Sequence, residues 1–288
     1  MEDVSYTAQW TAAARAVESE RGDGALFHDA FARALAVPRG FELLDKYNGS
    51  GVAEYVAVRT RYVDDAIRRA LENRSISQIV LVASGMDTRA YRLDWPADAV
   101  LYEVDHGSLF DVKRERLAQA GGERRIRTVE VGADLAGDWL PTLRAAGFKA
   151  DQSTLWVAEG LLFFLTEAQV RGLLDTLRSA SAVGSKLVTD MTSASLLKHP
   201  ITQGFLRSLR DDGTPWLFGS DEPASFLATS GWSLTNLSQP GEPGAGEGRW
   251  SHPVPARELR GVPRNWLITA SYDGAPLHTG AAREAATA

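Results

Sequence analysis

The feature that most limits the fold is a run of β-forming residues, "QIVLVAS" at positions 78–84, that ends abruptly in Gly85 and a charged Asp-Thr-Arg. Apolar residues at consecutive positions, without alternation, read as a strand buried on both faces, the pattern of a parallel sheet. Three further runs follow at 99–105, 127–134 and 153–160, with helical or looping stretches between them, and another at 185–192 comes after a helix. Strands alternating with helices predict a parallel sheet covered on both faces. The helix before the run at 185–192 carries its own start signal. Thr166-Glu-Ala-Gln169 reads as a capping box, and Val170, Leu173, Leu174 and Leu177 recur at helical spacing. Two last strands are expected at 232–237 and 265–272, flanking a Pro/Gly-rich loop at 239–248 that is expected to be mobile.

About seventy residues without strand character precede the sheet. Helices near 8–19 and 53–73, with a loop at 22–24, predict a cap rather than a separate domain. The expected organisation is one domain over 1–288: a helical cap at 1–74, a ligand-binding core at 75–192, a substrate-covering insertion at 193–220, and C-terminal strands with a tail at 221–288, frayed over 281–288.

Composition removes several chemistries. A formal charge of −6 and the lack of any Lys/Arg cluster argue against a nucleic-acid partner. The chain has no cysteine, which excludes disulfides, Cys-ligated zinc, iron–sulfur clusters and thiol nucleophiles, and no metal site is expected. The first nine residues are polar, with Glu2 and Asp3, unlike a signal peptide, and no stretch reaches membrane-spanning length. A cytoplasmic protein without a membrane partner is the expectation, and the oligomeric state is not legible.

In open α/β sheets ligands bind at the carboxyl ends of the strands, so the last residues of each run are the candidate site. The first ends Ala83-Ser84-Gly85. A dinucleotide fingerprint would need three glycines there, and no Walker-type Gly-Lys-Ser/Thr is present, so a ligand held by a dense nest of amides is disfavoured. The second run ends in Asp105, about 20 positions beyond Gly85, where a ribose diol would be bound in such a sheet. The third ends in Asp134 and Leu135, an acid for an adenine amino group and an apolar side chain for its ring; the fourth ends in Glu159, an acid suited to a ligand ammonium. In "VRTRYVDDAIRRAL", Arg59 falls on the apolar helical face with Tyr62, Val63, Ala66 and Ile67, and a buried arginine requires an anion. A phosphate-free nucleoside carrying both an ammonium and a carboxylate points to S-adenosylmethionine.

Taken in order, "RTRYVDD", "ASGMDTRAYRL", "YEVDH", "ADL" and "AEGLLFFLTEAQ" resemble the leucine carboxyl methyltransferase family, and within it a bacterial branch of S-adenosylmethionine-dependent methyltransferases that includes polyketide O-methyltransferases. "TAAARAVESERGDGALFHDAFA" and "GVPRNWLITASY" extend the resemblance over about residues 10–272. It implies a Rossmann-like class I methyltransferase fold: a mostly parallel seven-stranded sheet with helices on both faces and an N-terminal helical cap. It further implies Arg59 as the clamp on the methionine carboxylate, with Arg15 as a cap residue helping it, Ser84 and Gly85 as the first turn, Asp105 on the ribose, Asp134 and Leu135 around adenine, and Glu159 beside the methionine moiety. Eukaryotic members have Gly-x-Gly in the first turn, and Ala83 stands in the first of those positions here.

Plainer readings stay open beside these. Asp105 and Asp134 could be helix caps, Glu159 could pair with Arg89 or Arg92, and Arg15 could lie on a solvated face with Thr11 and Glu18. Among the histidines, His106 is expected near the adenine edge or in water and His28, His252 and His278 in solvent; His199 lies in the substrate-covering insertion, and the sequence offers no compelling base. Trp216, Phe218 and Phe205 are candidates for lining an acceptor pocket. The function expected is O-methylation of a small-molecule carboxylate or acidic hydroxyl, a secondary metabolite. The alternatives are a non-catalytic S-adenosylmethionine-binding protein and an NAD-dependent oxidoreductase, the latter disfavoured by the missing glycines.

Overall fold

The computed structural model describes residues 4–72 and 74–274. The expected fraying at 281–288 and His278 lie outside them. Within them, the strands are β1 (Gln78–Val82), β2 (Val100–Asp105), β3 (Arg127–Gly132), β4 (Thr154–Ala158), β5 (Lys186–Thr192), β6 (Ser233–Ser238) and β7 (Asn265–Ser271). They form one seven-stranded sheet in the order β3-β2-β1-β4-β5-β7-β6, in which β7 alone runs antiparallel to β5, with β6 antiparallel to β7 in turn. β1 is central and fully buried, as its unbroken apolar run requires.

Alternation along the strands splits the core into two layers. Ile79, Leu81, Leu101, Leu155, Val157 and Val188 face one helical layer, while Val80, Val82, Tyr102, Val104, Trp156 and Leu187 face the other. The first layer is the cap: α1 (Val4–Ser19), α2 (Ala32–Leu35), α3 (Pro38–Tyr47) and α4 (Val52–Leu71). Trp10, Leu43, Val56, Val63 and Ile67 join Ile79 and Leu81 in one apolar cluster, so the cap is packed onto the sheet. The crossovers hold α5 (Arg89–Arg92), α6 (Gly107–Gln119), α7 (Leu140–Ala145) and α8 (Glu167–Ser179). Both bonds of the expected capping box start α8, and Val170, Leu173, Leu174 and Leu177 are its buried face. The insertion supplies α9 (Ala194–Lys198) and α10 (Gln203–Asp211), and α11 (Pro223–Thr229) precedes β6.

β2 and β5 end where the sequence suggests, and β1, β3 and β4 stop two residues earlier. For β1 the reason is conformational: Ala83 has φ +56° and Gly85 φ +53°, both left-handed, so the chain leaves the ladder and turns over the sheet edge. The loop at 239–248 and the residue after it are hydrogen-bonded to their surroundings. Arg264 Nη1 donates to Gln239 Oε1 at 2.6 Å, Arg257 Nη2 to Glu242 Oε2 at 2.6 Å, and Arg249 Nη2 to Glu18 Oε2 at 2.6 Å. No described helix is long and apolar enough to cross a membrane.

A Cβ in the left-handed region costs about 1–2 kcal/mol, and Ala83 bears that cost at the centre of the sheet edge. Ala83→Gly is therefore expected to stabilise the protein by about 1 kcal/mol, seen as a higher urea midpoint at unchanged m-value.

Candidate ligand site at the strand ends

The sheet reverses direction of strand addition between β1 and β4, and a cavity of about 440 Å³ opens at the carboxyl ends of β1 to β4, under the cap. All eight residues proposed from the sequence line it: Arg15, Arg59, Ser84, Gly85, Asp105, Asp134, Leu135 and Glu159. Residues as far apart in the chain as Arg15 and Glu159 meet there because each follows the end of a parallel strand or faces one from the cap.

At the first turn, the Gly85 amide donates to Asp105 Oδ2 at 2.7 Å and the His106 amide to Asp105 Oδ1 at 2.7 Å. The carboxylate thereby fixes the turn after β1 to the end of β2. It caps no helix, because α6 begins after His106 without a side-chain cap. A Cβ at position 85 would lie 3.3 Å from Ala8 Cβ, so glycine serves both the left-handed turn and the close passage of α1. Ser84 Oγ is buried without a hydrogen-bond partner. Asp134 is exposed, accepts the Ala136 amide at 2.9 Å in a local turn, and lines the cavity with Leu135.

The floor is a chain of buried charges. Arg59 Nε lies 2.9 Å from Glu159 Oε1 and its Nη1 3.2 Å from Asp190 Oδ2. Arg89 Nη2 reaches Glu159 Oε2 at 2.7 Å, its Nε reaches Asp64 Oδ1 at 2.7 Å, and it also pairs with Asp87. Arg92 doubles on Asp64 at 2.5 and 2.8 Å. On the cap side, Arg15 Nε meets Asp29 Oδ2 at 3.0 Å and its Nη2 donates to the Met86 carbonyl at 2.5 Å, which replaces the solvated-face reading. The open reading of Glu159 as the partner of a core arginine is realised with Arg89, and Arg59 shares it. Gly160, at φ +68°, makes room: a Cβ there would stand 3.0 Å from Arg59 Nη2.

Ionisation follows from this pairing. Burial opposes the charge on Glu159, but the Arg89 and Arg59 guanidinia outweigh it and hold the carboxyl below its ordinary range. Burial likewise opposes Asp87 and Asp29, and Arg89 and Arg15 respectively overcome it. Burial and the neighbouring Asp190 carboxylate push the Tyr55 phenol well above its usual value. Tyr55 is therefore a hydrogen-bond donor, at 2.7 Å to Asp190 Oδ2, and not a base.

Sequence reasoning missed Asp190, which gathers Tyr55 Oη, Arg59 Nη1 and the Gly160 amide, the last at 2.6 Å. Its signal was available: an acid inside the otherwise buried strand "KLVTDMT" must have partners. Asp64, on the buried face of α4, gave the same kind of signal. His106 is exposed at the cavity rim, whereas His199 does not line the cavity and accepts the Ile201 amide at 3.3 Å. Of the three insertion aromatics, only Trp216 lines the cavity; Phe205 packs between Tyr47 and Trp216, and Phe218 against Phe226.

This strand order, with one antiparallel strand near the edge and a cavity at the parallel strand ends, defines a Rossmann-like methyltransferase of class I. The fold matches a DUF574 family protein from Streptomyces avermitilis (TM-score 0.61, 16% identity, covering 90% of this chain and 96% of that one) and a methyltransferase-like structure from Thermobifida fusca (TM-score 0.61, 17% identity, 92% and 94%). The family model for leucine carboxyl methyltransferases matches residues 8–178, and the chain belongs to that family. Relatives include a Mycobacterium avium protein, 36% identical over 272 residues (82% of this chain, 85% of its own length), and one from Streptomyces coelicolor, 38% identical over 250 residues (81% and 82%). Both bear the name "Putative S-adenosyl-L-methionine-dependent methyltransferase".

Two outcomes follow from the charge chain. Asp190→Ala leaves the buried Arg59, Tyr55 and Gly160 groups short of a partner and is expected to cost about 3–5 kcal/mol, whereas Glu42→Ala, which removes the exposed pair with Arg39, should cost under about 1 kcal/mol in the same urea titration. Because Asp29, Asp87 and Glu159 titrate below their ordinary values when folded, their contribution is complete above about pH 4.5 and is lost as pH falls through the folded values. Urea midpoints measured from pH 7 to pH 3 should hold steady down to about pH 4.5 and then drop.

Proposed function

We propose that this chain is an S-adenosylmethionine-dependent O-methyltransferase acting on a carboxylate or acidic hydroxyl of a small molecule, a secondary metabolite. The observation that carries the reading is the convergence of Arg15, Arg59, Ser84, Gly85, Asp105, Asp134, Leu135 and Glu159 on one cavity at the strand ends of a methyltransferase fold. The residues suit the cofactor on three counts. The orphaned Ser84 hydroxyl and the Gly85 turn suit a polar ligand lying close to the backbone. Asp105 and Asp134 each keep acceptor capacity beyond the amides they bind, for a ribose diol and an adenine amine. Third, Arg15, Arg59, Arg89 and Arg92 are paired with five carboxylates (Asp29, Asp64, Asp87, Glu159 and Asp190), and Asp105 and Asp134 add to that excess of negative charge, which complements a ligand carrying a sulfonium, an ammonium and a single carboxylate.

The cofactor, when bound, supplies a methyl group already activated by the positive sulfur. The tasks left to the chain are placement and exclusion of water. Arg59 and Arg15 hold the carboxylate end, Glu159 the ammonium, Asp105 the ribose, and Asp134 with Leu135 the base. Tyr55 is a donor with a raised phenol and His199 does not line the cavity, which suits an acceptor oxygen that is an anion already or ionises readily. A cavity of about 440 Å³ under a cap is of the size that encloses small molecules.

The test is a thermal shift with S-adenosylhomocysteine, with NAD and NADP in parallel. At a hundred times its dissociation constant the product should add about 2.7 kcal/mol of stability, and neither dinucleotide should. Asp105→Ala should abolish the shift. Stabilisation by NAD alone would overturn the assignment.

A further inference from the structure

We propose that Asp29, which does not line the cavity, is the positioning residue that sets Arg15 to receive the ligand's carboxylate, and that the site distinguishes adenosyl sulfur compounds with an α-carboxylate from those without one through this pair. This rests on the methyl-transfer reading above and adds to it a residue outside the cavity.

The first observation is where Asp29 sits. It lies in the link between α1 and α2, and its carboxylate is fully buried. Oδ1 accepts the Phe31 amide at 3.2 Å, and Oδ2 accepts both the Thr88 hydroxyl at 2.6 Å and Arg15 Nε at 3.0 Å. The link itself is fastened to α1, because Ser19 Oγ accepts the Asp29 amide at 2.9 Å and donates to the Arg15 carbonyl at 2.8 Å. Main chain and side chain of Arg15 are thus both held against Asp29. Burial opposes ionisation of this carboxyl, and the Arg15 and Arg92 guanidinia overcome it, so the partner offered to Arg15 is an anion.

Second, Arg15 has the fewest carboxylate partners of the arginines that line the cavity. Arg59 is shared by Glu159 and Asp190, and Arg89 by Asp64, Asp87 and Glu159. Arg92 is doubled on Asp64 and has Asp29 3.9 Å from its Nε, whereas Arg15 meets Asp29 alone. Arg15 uses Nε on Asp29 and one N–H of Nη2 on the Met86 carbonyl, two groups on the same edge of the guanidinium. Among the described residues Nη1 has no hydrogen-bond partner, which leaves the terminal edge, Nη1 with the second N–H of Nη2, for a ligand. Two parallel N–H groups match a carboxylate, provided the plane of the fork is fixed.

Third, the orientation is set relative to the cofactor turn. An arginine side chain has several rotamers of similar energy, and packing of its stem alone does not choose the plane of the fork. The Asp29 carboxylate chooses it, and Thr88 fixes that carboxylate in turn. Thr88 closely follows the turn after β1, whose Ser84, Gly85 and Met86 line the cavity. Arg15 is therefore registered to that turn twice, through Asp29 to Thr88 and directly to the Met86 carbonyl. A ligand carboxylate then meets a fork already in place, at no cost of ordering it.

The probes are S-adenosylhomocysteine and its decarboxylated analogue, an adenosyl thioether ending in a propylamine, each titrated calorimetrically into the full chain as wild type, Arg15→Ala, Asp29→Asn and the double variant. Wild type should bind S-adenosylhomocysteine more tightly than the analogue. Asp29→Asn should weaken S-adenosylhomocysteine about tenfold and leave the analogue within about twofold, and the double variant should bind no more weakly than Arg15→Ala, because the two residues act as one unit. Thr88→Val keeps both charges and removes one bond to Asp29 Oδ2, so it should weaken S-adenosylhomocysteine alone, by about threefold. If Asp29→Asn does not fold, the folded Thr88→Val protein decides, and unchanged binding of S-adenosylhomocysteine to it overturns the proposal. Equal weakening of the two ligands, additive losses in the double variant, or unchanged binding in Asp29→Asn also overturns it and leaves the methyltransferase reading standing. Failure of S-adenosylhomocysteine to bind wild-type protein overturns both.

Discussion

The structure depends on a buried chain of ion pairs running from Asp190 on β5 through Arg59, Glu159 and Arg89 to Asp64 and Arg92. Burying so many charges is costly, and the cost is offset only while every guanidinium and carboxylate keeps its partners. The members come from the cap helix α4, the short helix α5 that follows β1, the end of β4 and the middle of β5. Cap and sheet are thus held in register by contacts that tolerate little displacement, unlike the apolar packing around them, which would accept a slide of an ångström more readily.

That registration gives the cavity its form. The parallel strands end together at one edge, and the reversal between β1 and β4 leaves a gap that the cap roofs over. Ala83 and Gly85 turn the chain sharply out of β1, and the Asp105 carboxylate ties the Gly85 amide to the neighbouring strand. The floor is then a network of paired charges.

Not every part of the cavity is fixed in this way. The charged floor is built from strand ends whose positions the sheet dictates. By contrast, Trp10, Trp216 and Phe163 line the cavity from α1, the insertion and the short segment after β4, which the sheet does not dictate.

The sequence by itself determined the strand-helix alternation, the capping box of α8, the burial of β1 and the set of polar residues at the strand ends, because these follow from local periodicity and from the rule that ligands sit at the carboxyl ends of parallel strands. Arg59 was legible as a buried cation in need of an anion, but not the identity of that anion. Only the tertiary structure decided that Glu159 and Asp190 both meet it, since partners 100 and 131 positions away are chosen by the sheet order and not by spacing. It also decided that Trp216 and not Phe205 or Phe218 reaches the cavity, that Arg264, Arg257 and Arg249 hold the loop at 239–248, and that Ala83 is left-handed. Local sequence fixes what a residue needs; which neighbour supplies it is settled only when distant segments pack.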